Sequence, residues 1–225
     1  MQILERSAVG LRSARMVLTA PGKPSFTLFP MVHLADRAFF DRVRADANDH
    51  DLVLREGVQH RLGRAAGRMH WLATCAANGL SAEGRIVQGF GAAHWRNSDI
   101  DPGRFDEKIS KVPWWIRTLI YVVSPILGLI LRSRRARLWL MDLGDGERDT
   151  AETLERIGGR AFREAIMDDR DKALADHCDR AIAENEAGCI AVIWGAGHMQ
   201  ALIEHLTRTH GYQITDRSWM MVIKA

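Results

Sequence analysis

Cys189-Ile190-Ala191-Val192-Ile193-Trp194-Gly195-Ala196-Gly197-His198 sets an unbroken apolar run against a small-residue turn and a histidine. A short apolar run closed by glycine reads as a strand buried on both faces, and the pattern beyond it turns helical, as in a βαβ unit. Two other stretches have the same form. Phe26-Thr27-Leu28-Phe29-Pro30-Met31-Val32 runs into His33, and Asp51-Leu52-Val53-Leu54-Arg55 runs into Glu56, each before a helical pattern. Strands joined by helical crossovers are parallel, so their C-terminal ends share one rim, where open α/β sheets place their chemistry. The expected fold is α/β: a mixed central sheet with flanking helices. His33, Glu56 and His198 on one rim give the two imidazoles and one carboxylate of a catalytic zinc-type site with an open position.

Composition agrees with one domain covering residues 1–225. The chain is 47% hydrophobic and 26% charged, near globular averages. At this length most of the unfolded chain's surface can be buried in one core. A net charge of +3 without a basic arm gives no reason to expect a nucleic-acid partner. Cys75, Cys178 and Cys189 lack zinc-type spacing and suit a reducing compartment. The N-terminus carries Glu5, Arg6, Arg12 and Arg15 with no apolar segment between them, so no signal peptide is expected and the expected location is cytoplasmic.

Outward from the three strands, residues 15–20 and 25–32 read as strands joined by the turn Pro21-Gly22-Lys23-Pro24. Residues 36–48 read as a helix with Phe39, Phe40 and Val43 inward, and 62–78 as a helix ended by Asn78-Gly79. Residues 84–101 are irregular, with a short strand around 92–96. Pro102–Ser110 is a helical turn or two. Residues 150–187 are helical, bent at Gly158-Gly159. Strand 189–194, helix 199–209 and strand 219–224 complete the order.

One segment, about 111–146, reads as an apolar helical insertion. Residues 118–131 carry no charge; Trp114 and Trp115 precede them and Arg132, Arg134, Arg135 and Arg137 follow. The run is shorter than the roughly 18–20 residues that span a bilayer, and Pro125 and Gly128 interrupt it. It reads as a lid over the rim with Trp114 and Trp115 walling a pocket, as a peripheral membrane element through 112–137, or, less simply, as a span.

These motifs resemble the TraB/GumN family, which includes the Tiki-type proteins. The family carries a Gly-x-x-His motif, a strand ending in glutamate and a second Gly-x-x-His. Here the second is Gly195-Ala196-Gly197-His198, and the glutamate is Glu56 in Leu52-Val53-Leu54-Arg55-Glu56-Gly57. Gln88 and Trp95-Arg96-Asn97-Ser98-Asp99 are similar to its middle segment, and Asp169-Arg170-Asp171 to its arginine-bearing helix. The first motif departs, reading Pro30-Met31-Val32-His33. Proline fixes φ where glycine leaves it free, so the first loop should differ locally. The resemblance implies a mixed α/β domain and a metal-dependent, peptidase-like hydrolase.

The residues divide into roles with alternatives. His33, Glu56 and His198 are the metal ligands, the ion being zinc, manganese or cobalt. Glu56 and Arg170 are the catalytic candidates, the ion lowering the pKa of a bound water and Arg170 steadying the oxyanion. Gly195, Gly197, Arg170 and Asp99 are the substrate-binding candidates, for a peptide or small-molecule substrate. His33 also fits a satisfied core histidine, Glu56 a solvated charge, residues 195–197 a plain turn, and Asp99 a cap before Pro102. Arg170 interrupts an apolar stripe of Phe162, Ile166, Ala173, Leu174, Cys178 and Ala181. Facing a core, it needs partners: Asp169 or Asp171 locally, or Glu56 at the rim. His50, His60, His70 and His205 read as surface or helix-face residues. The rivals to hydrolysis are a degenerate pocket that binds a small ligand or peptide without turnover, nucleotide binding through Gly195-Ala196-Gly197, and a membrane-surface adaptor.

Overall fold

Four parallel strands form the centre of the sheet in the computed structural model, which describes residues 1–57, 61–74, 79–83, 94–144, 150–185 and 187–225. They are β3 (Ser25–Met31), β8 (Cys189–Gly195), β5 (Leu52–Arg55) and β7 (Trp95–Asn97), neighbours in that order. β2 (Gly10–Thr19) joins β3 antiparallel, and β9 (Gln213–Lys224) runs antiparallel along the other side of β2. β1 (Leu4–Ser7) pairs with the start of β2, making a mixed seven-stranded sheet; β4 (Leu34–Asp36) and β6 (Leu80–Ala82) form a separate pair.

β3, β8 and β5 are largely apolar because both faces are covered, whereas β7 is Trp-Arg-Asn with Arg96 and Asn97 exposed. In β8 the alternation is plain: Ile190, Val192 and Trp194 enter one core, and Ala191 and Ile193 the other. The first core is closed by α7 (Asp169–Glu184) and α8 (Met199–His210) through Leu174, Cys178, Leu202 and Leu206. The second is closed by α1 (Arg37–Asn48) through Phe39, Phe40 and Val43, as their spacing predicts.

Pro30 sits inside β3 rather than in a loop. Its missing N–H ends the antiparallel ladder to β2 at Leu28, while the parallel ladder to β8 runs on to Pro30↔Trp194 and Met31↔Gly195. Its carbonyl accepts from Ser13 Oγ at 2.7 Å. The strand accommodates the proline without a break in the ladder to β8.

The remaining helices are α2 (Arg61–Ala73), α3 (Pro102–Ser110), α4 (Trp114–Ile130), α5 (Arg134–Gly144) and α6 (Thr150–Arg163). A π-helical turn, Glu164–Asp168, links α6 to α7, and Gly159 breaks α6 at φ +75°, where the sequence predicts the bend. The predicted apolar insertion is helical. α4 packs on α2, where Gly128 approaches so closely that an added Cβ would lie 2.6 Å from the Met69 carbonyl oxygen. Trp114 and Trp115 point outward, 71% and 54% exposed, and do not wall a pocket. Among the described residues no single helix is long and apolar enough to cross a membrane; α3 and α4 together reach the length only across a 113° bend. The strand expected at 92–96 begins at Trp95; Ala92, with Gln88, His60 and Cys75, lies outside the described residues.

Candidate functional site at the sheet rim

Each of the four parallel strands delivers a polar side chain just past its C-terminal end: His33 from β3, His198 from β8, Glu56 from β5 and Asp99 from β7. The backbone fixes the last two. Glu56 N–H donates to the Ile193 carbonyl at 3.0 Å and Ser98 N–H to the Arg55 carbonyl at 3.0 Å, extending the ladders to the rim. Asn97 then clips the turn, donating to the Gly57 carbonyl at 3.0 Å and accepting from Asp99 N–H at 3.1 Å.

Arg170 is the hub. It is 8% exposed, and its partners are the rim carboxylates rather than its helix neighbours. Nε donates to Asp99 Oδ1 at 3.0 Å; Nη2 donates to Asp99 Oδ2 at 2.7 Å and to Glu56 Oε1 at 2.5 Å. The planar fork takes Asp99 side-on, a geometry lysine cannot reproduce. Asp99 also accepts from the N–H groups of Gly57 at 3.0 Å and Ile100 at 2.8 Å. It is therefore not the cap of α3; Asp101 is, accepting from Gly103 N–H at 2.8 Å and Arg104 N–H at 3.3 Å. Asp169, the other local candidate for Arg170, pairs with Lys108 at 3.0 Å. Trp194 underlies the site, with the guanidinium 5.3 Å from its ring centre and its indole N–H on Ser98 Oγ at 2.8 Å.

Glu56 is held from two sides, since its Oε2 accepts from Gly195 N–H at 2.7 Å. A Cβ at residue 195 would stand 3.1 Å from that oxygen, so glycine is there for close approach. This amide is consequently not offered to a substrate, contrary to the sequence expectation for Gly195; Gly197 is exposed in the following 3₁₀ turn. Burial works against the Glu56 charge, but Arg170, then His33 and His198, outweigh it and hold the carboxyl at about 2.

The two rim histidines share one arrangement. His198 is buried, its Nδ1 2.6 Å from Asp171 Oδ1; His33 is exposed, its Nδ1 2.9 Å from Glu83 Oε2. An ionised carboxylate only accepts, so each Nδ1 carries hydrogen and Nε2 is the ring's other ligand atom. Desolvation opposes the His33 charge, yet the Glu83 contact prevails and raises its pKa to about 9. His70 stacks on His33 at 4.6 Å between ring centres, and desolvation followed by the His33 charge lowers its pKa to about 3.

The residues match a divalent ion in chemistry more closely than in spacing. One guanidinium faces two carboxylates at a buried rim, a local excess of negative charge, and two imidazoles with carboxylate-fixed Nδ1 atoms stand beside it. Yet among the described residues the one trio of metal-ligating side chains with ligand atoms all within 4.8 Å is Asp179, His205 and His210. His33, Glu56 and His198 share the rim without being gathered that closely. The sequence reading missed Glu83, His70 and the pairing of Asp171 with His198. Only Asp171 had a signal, one residue past Arg170 on the same motif. Comparison with family models, with curated proteins and with solved structures finds no match.

Proposed function

We propose that this chain is a metal-dependent hydrolase of TraB/GumN type, acting on a peptide or small-molecule substrate at the sheet rim. The observation that carries it is the pair His33 and His198, each oriented by a carboxylate through Nδ1 beside the buried Glu56–Arg170–Asp99 network. Bound between His33, Glu56 and His198, the ion would supply a water of lowered pKa and polarise a carbonyl. The protein's own part is positional. Asp99 fixes Arg170, Arg170 and Gly195 fix Glu56, and Asp171 and Glu83 fix the imidazoles. In this reading Arg170 would steady charge developing on a substrate oxygen.

A second reading is a pocket that binds without turnover. It is favoured by the engagement of both Glu56 oxygens, which leaves the carboxylate less free to act. Metal analysis of protein purified without added metal or a tag, followed by peptide and ester hydrolysis, separates the two. An equivalent of ion lost together with activity in His198→Ala supports the hydrolase; that ion bound without hydrolysis supports the pocket; an ion content unchanged in His198→Ala sinks the metal reading at the rim.

The outer face of α4 supports work at a membrane surface. Trp114, Trp115, Leu119, Val122, Ile126 and Ile130 are all exposed along it, with Arg132 and Arg135 exposed just beyond. Flotation on anionic and neutral liposomes tests it: binding to anionic vesicles should be lost in Leu119→Glu/Val122→Glu/Ile126→Glu, and unchanged binding would overturn it.

A further inference from the structure

We propose that Asp179, His205 and His210 form a second divalent-cation site, of the zinc class, that clamps α7 to α8 at a distance from the rim. His205 Nε2 lies 2.6 Å and His210 Nε2 2.8 Å from the same oxygen, Asp179 Oδ1. Two imidazoles from one helix thus converge on a single carboxylate oxygen from another. All three ligand atoms lie within 4.8 Å of one another, and all three side chains are half-buried. No other arrangement of three such groups among the described residues is as close.

The local fold explains the convergence. His205 and His210 are five apart, which on a continuing helix would turn them to different sides. α8 ends at His210, however, where Gly211 takes the left-handed conformation at φ +73° and Tyr212 N–H turns back to the Leu206 carbonyl at 3.2 Å. That closure holds the last imidazole over the penultimate turn, and the two rings stand 5.5 Å apart at 72°. Asp179 faces them across the core contact made by Leu174, Cys178, Leu202 and Leu206.

The chemistry selects the cation. Without an ion each Nε2 carries a hydrogen aimed at Oδ1. In neutral rings those hydrogens move to Nδ1, freeing two Nε2 lone pairs beside the carboxylate with no net change in protonation. Two imidazole nitrogens and one carboxylate oxygen, with water in the fourth place, suit zinc and related ions; magnesium and calcium prefer all-oxygen sets. Placement gives the clamp a purpose. α7 carries Arg170 and Asp171 at its start and α8 follows directly on His198, whereas the trio lies towards the other ends of both helices. Asp179 is nine residues past Arg170, roughly 13 Å along the axis. An ion there fixes the far ends of the two helices whose near ends hold the His198–Asp171 pair.

The test is titration of chelator-treated full-length protein with zinc sulfate, read by calorimetry and thermal melting, with magnesium chloride as control. The wild type should bind zinc and melt higher with it. His205→Ala/His210→Ala should lose one equivalent, or at least about tenfold in affinity, the scale of loss that even outer-sphere changes cause. Asp179→Asn, which keeps shape and removes charge, should weaken binding likewise, while His33→Ala/His198→Ala should retain this equivalent. Zinc binding equal in wild type and the His205/His210 variant, or no zinc binding by the wild type, overturns the proposal. Loss confined to the His33/His198 variant would overturn it while leaving the rim reading intact.

Discussion

At the scale of single residues, Arg170 is both the best-anticipated and the most re-valued. The stripe of Phe162, Leu174 and Cys178 made its burial legible, and with it the need for a carboxylate. What no local pattern gave was that two carboxylates from separate strands, Glu56 and Asp99, share it. Arg170→Leu strands two buried carboxylates, so a loss of about 3–5 kcal/mol is expected in urea unfolding. A variant as stable as wild type would show that the network is dispensable. Glu56 gives a pH signature in metal-free protein. Its pKa falls from 4.5 unfolded to about 2 folded, so its contribution is fully present above about pH 5 and is lost as pH falls towards 2. That contribution is on the order of 3 kcal/mol. Glu56→Gln should flatten this part of the acid limb; an unchanged limb would mean that other carboxylates govern it.

At the scale of elements, two glycines of the α2–α4 pair make opposite predictions. At Gly128 an added methyl would meet the Met69 carbonyl oxygen at 2.6 Å and Leu72 Cβ at 2.9 Å. Gly128→Ala should cost about 1–3 kcal/mol by overpacking, partly offset by the roughly 0.5–1 kcal/mol that alanine gains over glycine in a helix. Gly67 has open space around it, so Gly67→Ala should instead stabilise by that smaller amount. Thermal melts of the two variants compare them directly, and shifts of the same sign would contradict the close approach of α2 and α4. His70 on α2 stacks against His33, so Gly128→Ala should also disturb the imidazole resonance of His33.

For the whole molecule, the parallel centre was readable because doubly covered strands are predominantly apolar, and β3, β5 and β8 are. The antiparallel wing was less so. β9 reaches back to Gln213, but its first six residues are exposed and, Ile214 apart, polar, with no alternation to mark them. Their pairing with β2 is a backbone matter invisible to hydropathy. β1, β4 and β6, at three or four residues each, are too short to show a period. α5 was hidden by its arginines, one of which, Arg137, grips Asp36 at 2.7 and 2.9 Å. At the site the three proposed ligands were legible as strand-end residues, whereas their distances depend on Glu83, Asp171 and Gly195, which act through space. Because β9 covers one side of β2 over its whole length, removing residues 213–225 should bare a ten-residue edge. Expected is a protein that keeps helical circular dichroism but self-associates in sedimentation; a monomer would show that the edge is protected otherwise.

The order in which the strands are made adds a consequence for birth in the cell. β3 must wait for β8 and β2 for β9: Gly10 meets Lys224, and Ser25 meets Cys189. At about 5–20 residues per second, the ribosome leaves these strands, which pair with each other, without these later partners for roughly 10–40 s. Until then the β9-facing side of β2 and the β8-facing side of β3 stay open. His198 and the Gly195 amide that holds Glu56 come from β8 and the turn after it, so the rim network is completed only once that strand has been made.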